Sequence, residues 1–358
     1  MTMKATEIKK LPTILTILER IAKWEESLKN DKKWKHLLSD KGVENKFEIR
    51  PESKNETYAL YPTSSTVNTF FRGQTSYYSS CLPSIYRKVN NQERDQIDIF
   101  IDRLRAVEFE LLLQKHPFVK YVFNEGLDIS GNNMPISLKV DYLALAQHYE
   151  LKTDLLDFTN DKWVAAFFAT CTKVNGKFIP LNCDGYGVIY SYTIFPEPIN
   201  ETLEQNKKFS PVGLQPFPRP GEQKAFALKL NPQEDLNNLS GVQKYFFRHD
   251  YQAAEIVYNR MNEGKSLFPD DELVKIANKL KDTYKISKKA FRTAYQRYFI
   301  ESMNEDNVIK LCTEKGIKFV EYPVVSFSKN IEDKFWKSWY NNGRNEFLSK
   351  LVYRPVFS

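Results

Sequence analysis

Behind Pro12, apolar residues recur at helical spacing: Ile14, Leu15, Ile17, Leu18, Ile21 and Ala22, with Trp24 and Leu28 widening the stripe. That spacing predicts an amphipathic helix packed on a core. Residues 50–66 (RPESKNETYALYPTSST) are rich in breakers and small polar side chains and read as a loop. Residues 67–71 carry β-branched and aromatic side chains suited to a strand, closed by Arg72, Gly73 and Gln74. A long helix follows over 92–114, where Ile97, Phe100, Ile101, Leu104, Val107 and Leu111 share one face. A second spans 137–149 with Ser137 as its cap. Residues 153–159 form a short strand with an apolar centre, and 161–171 (DKWVAAFFATC) a buried helix. Strands at 187–194 and 225–230 and helices at 251–261 and 271–281 complete a mixed α and β middle.

The chain has 358 residues, 42% hydrophobic and 27% charged, which excludes disordered and low-complexity classes and allows two domains or one decorated domain. Four cysteines without a C-x-x-C pair exclude a zinc ribbon and argue for reduced thiols. The first twenty residues contain no continuous apolar run, so the expectation is a cytoplasmic protein without signal peptide or membrane span. The net charge of +7 sits at the flanks: +4 in residues 1–50, +6 in 281–358 and −3 between. Signs are interspersed, so solvated lysine-rich faces explain the charge more simply than a polyanion site.

Several chemistries drop out. Gly185 and Gly187 lack the third glycine of a dinucleotide fingerprint, and Gly264-Lys265-Ser266 lacks the upstream glycine of a phosphate loop. His36, His116, His148 and His249 never fall at metal-ligand spacing, and no G-x-S-x-G elbow exists. No metal is expected. Two segments remain. In FFRGQTSYYSSCLPSIYR (70–87), Arg72 at a strand end can present its fork of donors to an anion while Gly73 permits close approach of ligand or backbone. The alternative for Arg72 is a structural pairing with a carboxylate such as Glu108. In 143–170 (LALAQHYELKTDLLDFTNDKWVAAFFAT), Gln147, His148 and Tyr149 stand at a helix end, with Asp157 and Thr159 at the mouth of an apolar strand. His148 is either a ligand contact or proton carrier, or a satisfied structural histidine; Asp157 is either a site residue or a helix cap.

Together these segments resemble the FRG-domain family. FRGQ (71–74) is followed by CLPSIYR (81–87), similar to the family's L-P-S-L-x-R, and 143–169 is similar to its L-A-x-A-Q-H-Y-G-L-P-T-R-L-L-D-W-T signature with an alanine-aromatic helix. Arg219-Pro-Gly-Glu-Gln223-Lys-Ala-Phe226 resembles R-x-x-x-Q-x-G-x-F, and 266–282 resembles the closing F-P-D-L segment. Glu150, Asp154 and Ala225 stand where the family has glycine, arginine and glycine.

The order of parts in turn resembles the ADP-ribosyltransferase superfamily, which implies an α+β fold: a central mixed or antiparallel sheet with helical insertions, helical N-terminal flank and aromatic-rich C-terminal flank. The resemblance divides the chain into a helical segment (1–50), the FRG-like domain (51–282) and a basic, aromatic-rich extension packed on the core (283–358). It implies NAD as substrate. Arg72, Gly73, Gln74, Gln147, Tyr149, Asp157, Thr159 and Arg219 would then contact NAD, with Arg72 as anchor and Tyr149 and Thr159 as the nicotinamide-side wall. Arg72, His148 and either Glu222 or Gln223 would serve catalysis, in a bacterial toxin or phage-defence effector with a protein or nucleic-acid acceptor. Two other functions are alternatives. One is a nucleic-acid-binding or nucleolytic effector using Lys288, Lys289, Arg292 and Arg297 interleaved with Tyr295, Tyr298 and Phe299; the other is a non-catalytic sensor of a nucleotide or phage component.

Overall fold

The computed structural model describes residues 3–30, 46–52, 57–63, 68–128, 135–194, 208–269, 271–298 and 303–352. Its centre is a six-stranded sheet in which every neighbouring pair is antiparallel. The spatial order is β10 (Phe209–Pro211), β11 (Ala225–Lys229), β6 (Leu155–Thr159), β3 (Asn68–Gln74), β9 (Tyr186–Ile194), β12 (Val242–Arg248). A smaller mixed sheet orders β15 (Leu351–Val352), β1 (Phe47–Pro51), β2 (Thr57–Pro62), β5 (Pro135–Leu138), β4 (Leu127–Asp128). Two-stranded pairs join β7 (Cys171–Val174) to β8 (Lys177–Pro180) and β13 (Lys285–Ser287) to β14 (Lys318–Val320). The fold is α+β. No described helix is long and apolar enough to cross a membrane.

One face of the large sheet is covered by the expected amphipathic helix α1 (Ile14–Asn30), by α4 (Lys162–Thr170) and by α6 (Tyr251–Arg260), whose Ile17, Ile21, Ala165, Phe167 and Val257 meet Phe71 and Ile189. The other face buries Phe70, Leu156, Phe158, Tyr190 and Tyr192 with Leu236. The long helix α2 (Gln96–Leu113) starts at a capping box between Asp95 and Asp98 and is buried on two sides. Phe100, Leu104 and Val107 pack on Phe291 and Val308, while Ala106, Phe109 and Leu113 pack on Leu145 and Leu273.

Two expectations are corrected. Within 50–66, residues 50–51 end β1 and 57–62 form β2, an antiparallel pair that buries Ile49, Ala59 and Leu60; these short strands are outnumbered by breakers in the window, which hid the alternation. Ser137 lies in β5, and the helix expected there is α3 (Tyr142–His148), capped by Asp141 through the Ala144 amide at 2.9 Å.

The C-terminal residues pack on α2 and on the smaller sheet. Glu108 does not meet Arg72: its buried carboxylate accepts the Ser287 amide (2.9 Å), the Ser287 hydroxyl (2.7 Å) and the Val324 amide (3.1 Å). Arg297 forks onto Glu110 at 2.6 and 2.9 Å, Arg103 stands over the Tyr298 ring at 4.6 Å, and Tyr295 stacks on Phe291. Of the cations and rings expected to hold a nucleic acid, Arg297, Tyr295 and Tyr298 are committed to these internal contacts, whereas Lys288, beside Glu321, and Lys289 and Arg292 are exposed; Phe299 lies outside the described residues.

His116 shows what burial does to a titrating group. Its ring packs edge-on against Phe217 and Phe327, each 5.0 Å away, and Nδ1 accepts the Phe118 amide. Burial lowers its pKa to about 4. The unfolded chain, titrating near 6.5, therefore binds this proton before the folded one does, and the His116 contribution is intact above pH 6.5 and lost as pH falls toward 4. The gap in melting temperature between wild type and His116→Gln, followed by calorimetry, should narrow from pH 7 to pH 4.5. Glu108→Ala should cost about 3 kcal/mol in urea titration, because the buried amide and hydroxyl of Ser287 and the half-buried Val324 amide lose their acceptor; a loss under about 1 kcal/mol would contradict the anchoring role.

Candidate functional site

The ladder between β3 and β6 is registered at one pair, Phe71↔Thr159, whereas β3 pairs with β9 along its whole length. Two residues further the partners would be Gly73 and Asp157. Instead the Arg72 guanidinium crosses, Nη1 donating to the Asp157 carbonyl at 2.9 Å. A side chain thus satisfies a carbonyl that a strand neighbour would otherwise have taken. Here opens a cleft of about 190 Å³, lined by Phe71, Arg72, Gly73, His148, Asp157, Phe158, Thr159, Val164, Ala165, Phe168 and Gln223.

Each wall follows from local sequence. Asp161 caps α4 through the Trp163 amide (2.9 Å), so Asp157 is not the cap, and the Thr159 hydroxyl accepts the Asp161 amide to fix the turn between strand and helix. Gly73 is required by protein, not ligand: a Cβ there would lie 1.8 Å from the Ala165 carbonyl oxygen. This contact presses α4 onto β3 and sets the depth of the cleft. At the end of α3, Gln147 Nε2 donates to Asp157 Oδ2 (3.0 Å), and Gln147 Oε1 accepts from Thr153 (2.6 Å).

His148 is almost fully buried. Its Nδ1 lies 3.1 Å from Gln223 Oε1, and its Nε2, 3.8 Å from Asp157 Oδ1, has no hydrogen-bond partner. Burial lowers its pKa, opposed by Asp157 and the Gln223 contact, so the ring is neutral near pH 7. Arg72 Nε is likewise buried without a partner. A cation with an unfilled donor and a neutral imidazole with an unfilled ring nitrogen thus line one opening. Buried polar atoms left in that state destabilise the empty protein and favour a ligand that fills them.

Residues 67–177 match the FRG domain. The chain carries an FRG domain. No curated protein and no solved structure matches the chain. The FRG domain contributes Arg72, His148, Asp157 and the α4 wall, while Gln223 comes from beyond the matched residues. Position 150, where the family has glycine, adopts φ 66° in this chain, the left-handed region that glycine favours. Glu150 is held there by Lys173 and Lys281, which lower its pKa to about 2 against the opposing effect of burial. Asp154 is buried, 3.5 Å from Lys229, and does not line the cleft.

Other expected site residues fall elsewhere. Glu222 is exposed and pairs with Lys350 at 3.2 Å, because the short helix α5 (Pro218–Glu222) turns it outward while Gln223 turns in. Tyr149 lies behind the cleft: a helical step of about 100° separates it from His148, and its hydroxyl donates to Asp271 at 2.6 Å. Arg219 is buried beside it, over the Tyr149 ring at 4.8 Å, with Nη1 on the His148 carbonyl at 3.2 Å. Gln74 turns to Cys81 Sγ at 3.5 Å. A nearby cation that sequence reasoning did not single out is Arg87, an exposed residue outside the cleft lining whose Nε donates to the Leu82 carbonyl at 2.9 Å and whose pKa is lowered by desolvation and then by the charge of Arg72, with Asp157 opposing. Its one signal was the final arginine of the SIYR motif. Gly73→Ala should lower stability by about 1–3 kcal/mol in urea denaturation, since β3 or α4 must move to admit the methyl group; an unchanged midpoint would show the contact to be soft.

Proposed function

We propose that the cleft binds NAD and breaks the bond between nicotinamide and ribose, releasing or transferring ADP-ribose. The observation that carries this reading is the buried Nε of Arg72, left without a hydrogen-bond partner in a residue that lines the same cleft as Asp157 and Phe168. A guanidinium suits a diphosphate, and an aromatic wall suits a base or nicotinamide.

Breaking an N-glycosidic bond builds positive charge on the ribose carbon, and a fixed carboxylate near it stabilises that charge. Asp157 takes this role in place of Glu222, which lies outside the cleft. Arg72 holds the phosphates, with Arg87 within electrostatic reach; Thr159 and Phe168 flank the nicotinamide side. The protein would act in the cytoplasm as a toxin or phage-defence effector, its acceptor a protein, a nucleic acid or water.

Millimolar NAD should raise the melting temperature by several degrees, as saturation of a native-state site requires. Arg72→Lys should lose most of that rise while retaining a native circular dichroism spectrum. Mass spectrometry of NAD incubated with the protein should detect free nicotinamide. An unchanged melting profile in NAD would refute the reading; a thermal shift without nicotinamide would point to a sensor that binds and does not turn over.

A further inference from the structure

We infer that His148 Nε2 is the proton acceptor for a water or hydroxyl nucleophile, and that Gln223 is the positioning residue that leaves this nitrogen bare. The inference rests on the NAD reading above and names the class of acceptor that reading leaves open.

The chain of contacts begins at a backbone carbonyl. Gln223 Nε2 donates to the Leu267 oxygen at 3.0 Å, a contact that only the amide nitrogen can make. Gln223 Oε1 is therefore the atom facing His148 Nδ1 at 3.1 Å. An amide oxygen only accepts, so Nδ1 carries the hydrogen, and in a neutral ring Nε2 then holds a lone pair. That nitrogen is buried, has no hydrogen-bond partner and belongs to a residue lining the cleft. It can take a proton and, in the neutral ring, has none to give.

The charged groups around the ring fit this role. Asp157 Oδ1, 3.8 Å from Nε2, would stabilise the imidazolium formed. Asp141 at the start of α3 acts in the same direction, and Arg219 on the His148 carbonyl acts against it. Arg72 shares the cleft and is committed to the Asp157 carbonyl. A resting cationic histidine beside these two guanidinium groups would be disfavoured, whereas a neutral one is ready to accept a proton.

The step balances. The ribose–nitrogen bond breaks and its electron pair leaves with neutral nicotinamide. The nucleophile's oxygen bonds to the ribose carbon, and its proton passes to Nε2 and then to solvent. With water the net reaction is NAD plus water giving ADP-ribose, nicotinamide and one proton.

The test joins a spectrum to a rate. With four histidines in the chain, nitrogen-15 spectra of wild type and His148→Asn assign this ring. The expected pattern at pH 7 is a protonated Nδ1 and a bare Nε2, and Gln223→Met should mix the two tautomers. Nicotinamide release should fall at least about 100-fold in kcat for His148→Asn with little change in KM, and at least about tenfold for Gln223→Met. Gln223→Glu should retain turnover and move the acid limb of the pH–rate profile upward, because a carboxylate favours the imidazolium. Added methanol should yield methyl ADP-ribose. A protonated Nε2 in the wild type, or undiminished release by His148→Asn, would overturn the inference and leave NAD cleavage standing. Absence of nicotinamide release by the wild type overturns the NAD reading and the nucleophile with it, whatever tautomer the spectrum shows.

Discussion

Everything at the candidate site follows from one interruption, the single-pair ladder between β3 and β6 bridged by the Arg72 guanidinium. A continued ladder would have paired Gly73 with Asp157 and left no opening between two central strands. Antiparallel neighbours in the middle of a sheet ordinarily exchange all their hydrogen bonds. Where they stop, their freed polar groups must be satisfied by side chains, water or ligand. Arg72 satisfies one carbonyl and keeps an unfilled donor of its own, so the feature that closes the gap in hydrogen bonding is also the one that makes the gap attractive to an anion.

The interruption is held in shape from both sides. Gly73 lets the Ala165 turn of α4 press against β3, and Thr159 ties the end of β6 to the start of that helix. On the opposite wall, Gln147 and Gln223 fasten the Asp157 side chain and the His148 ring through opposite ends of their amides. Bifunctional amides suit this work, because satisfying one end dictates which atom the other end presents.

Much of this was legible in the chain. The helical stripe after Pro12, the run from Ile97 to Leu111 and the apolar WVAAFFAT segment each predicted a helix that exists, since long periodic patterns survive tertiary context. The motif residues Arg72, His148, Asp157, Thr159 and Gln223 do line one cleft. What was hidden depended on contacts distant in sequence. The paired strands β1 and β2 are too short for their alternation to stand out from the breakers beside them. Glu222 and Gln223 differ by one residue and face opposite ways, which only the turn of α5 decides. The carbonyl of Leu267 has no side-chain signature at all, and Gly73 suits a ligand and a helix backbone equally until the neighbour at 1.8 Å is known.

The smaller sheet has a consequence for how the chain is made. Phe47 pairs with Leu351 and Glu48 with Val352, so one edge of β1 is completed only by residues some three hundred positions later. Trp339 and Phe347, which bury the same sheet's Phe47 and Leu60, arrive equally late. On the ribosome, β1 and β2 can pair early, yet their open border and bare apolar face must wait until residues 339–352 emerge. Ribosome-bound intermediates will present an adhesive strand that the finished molecule conceals.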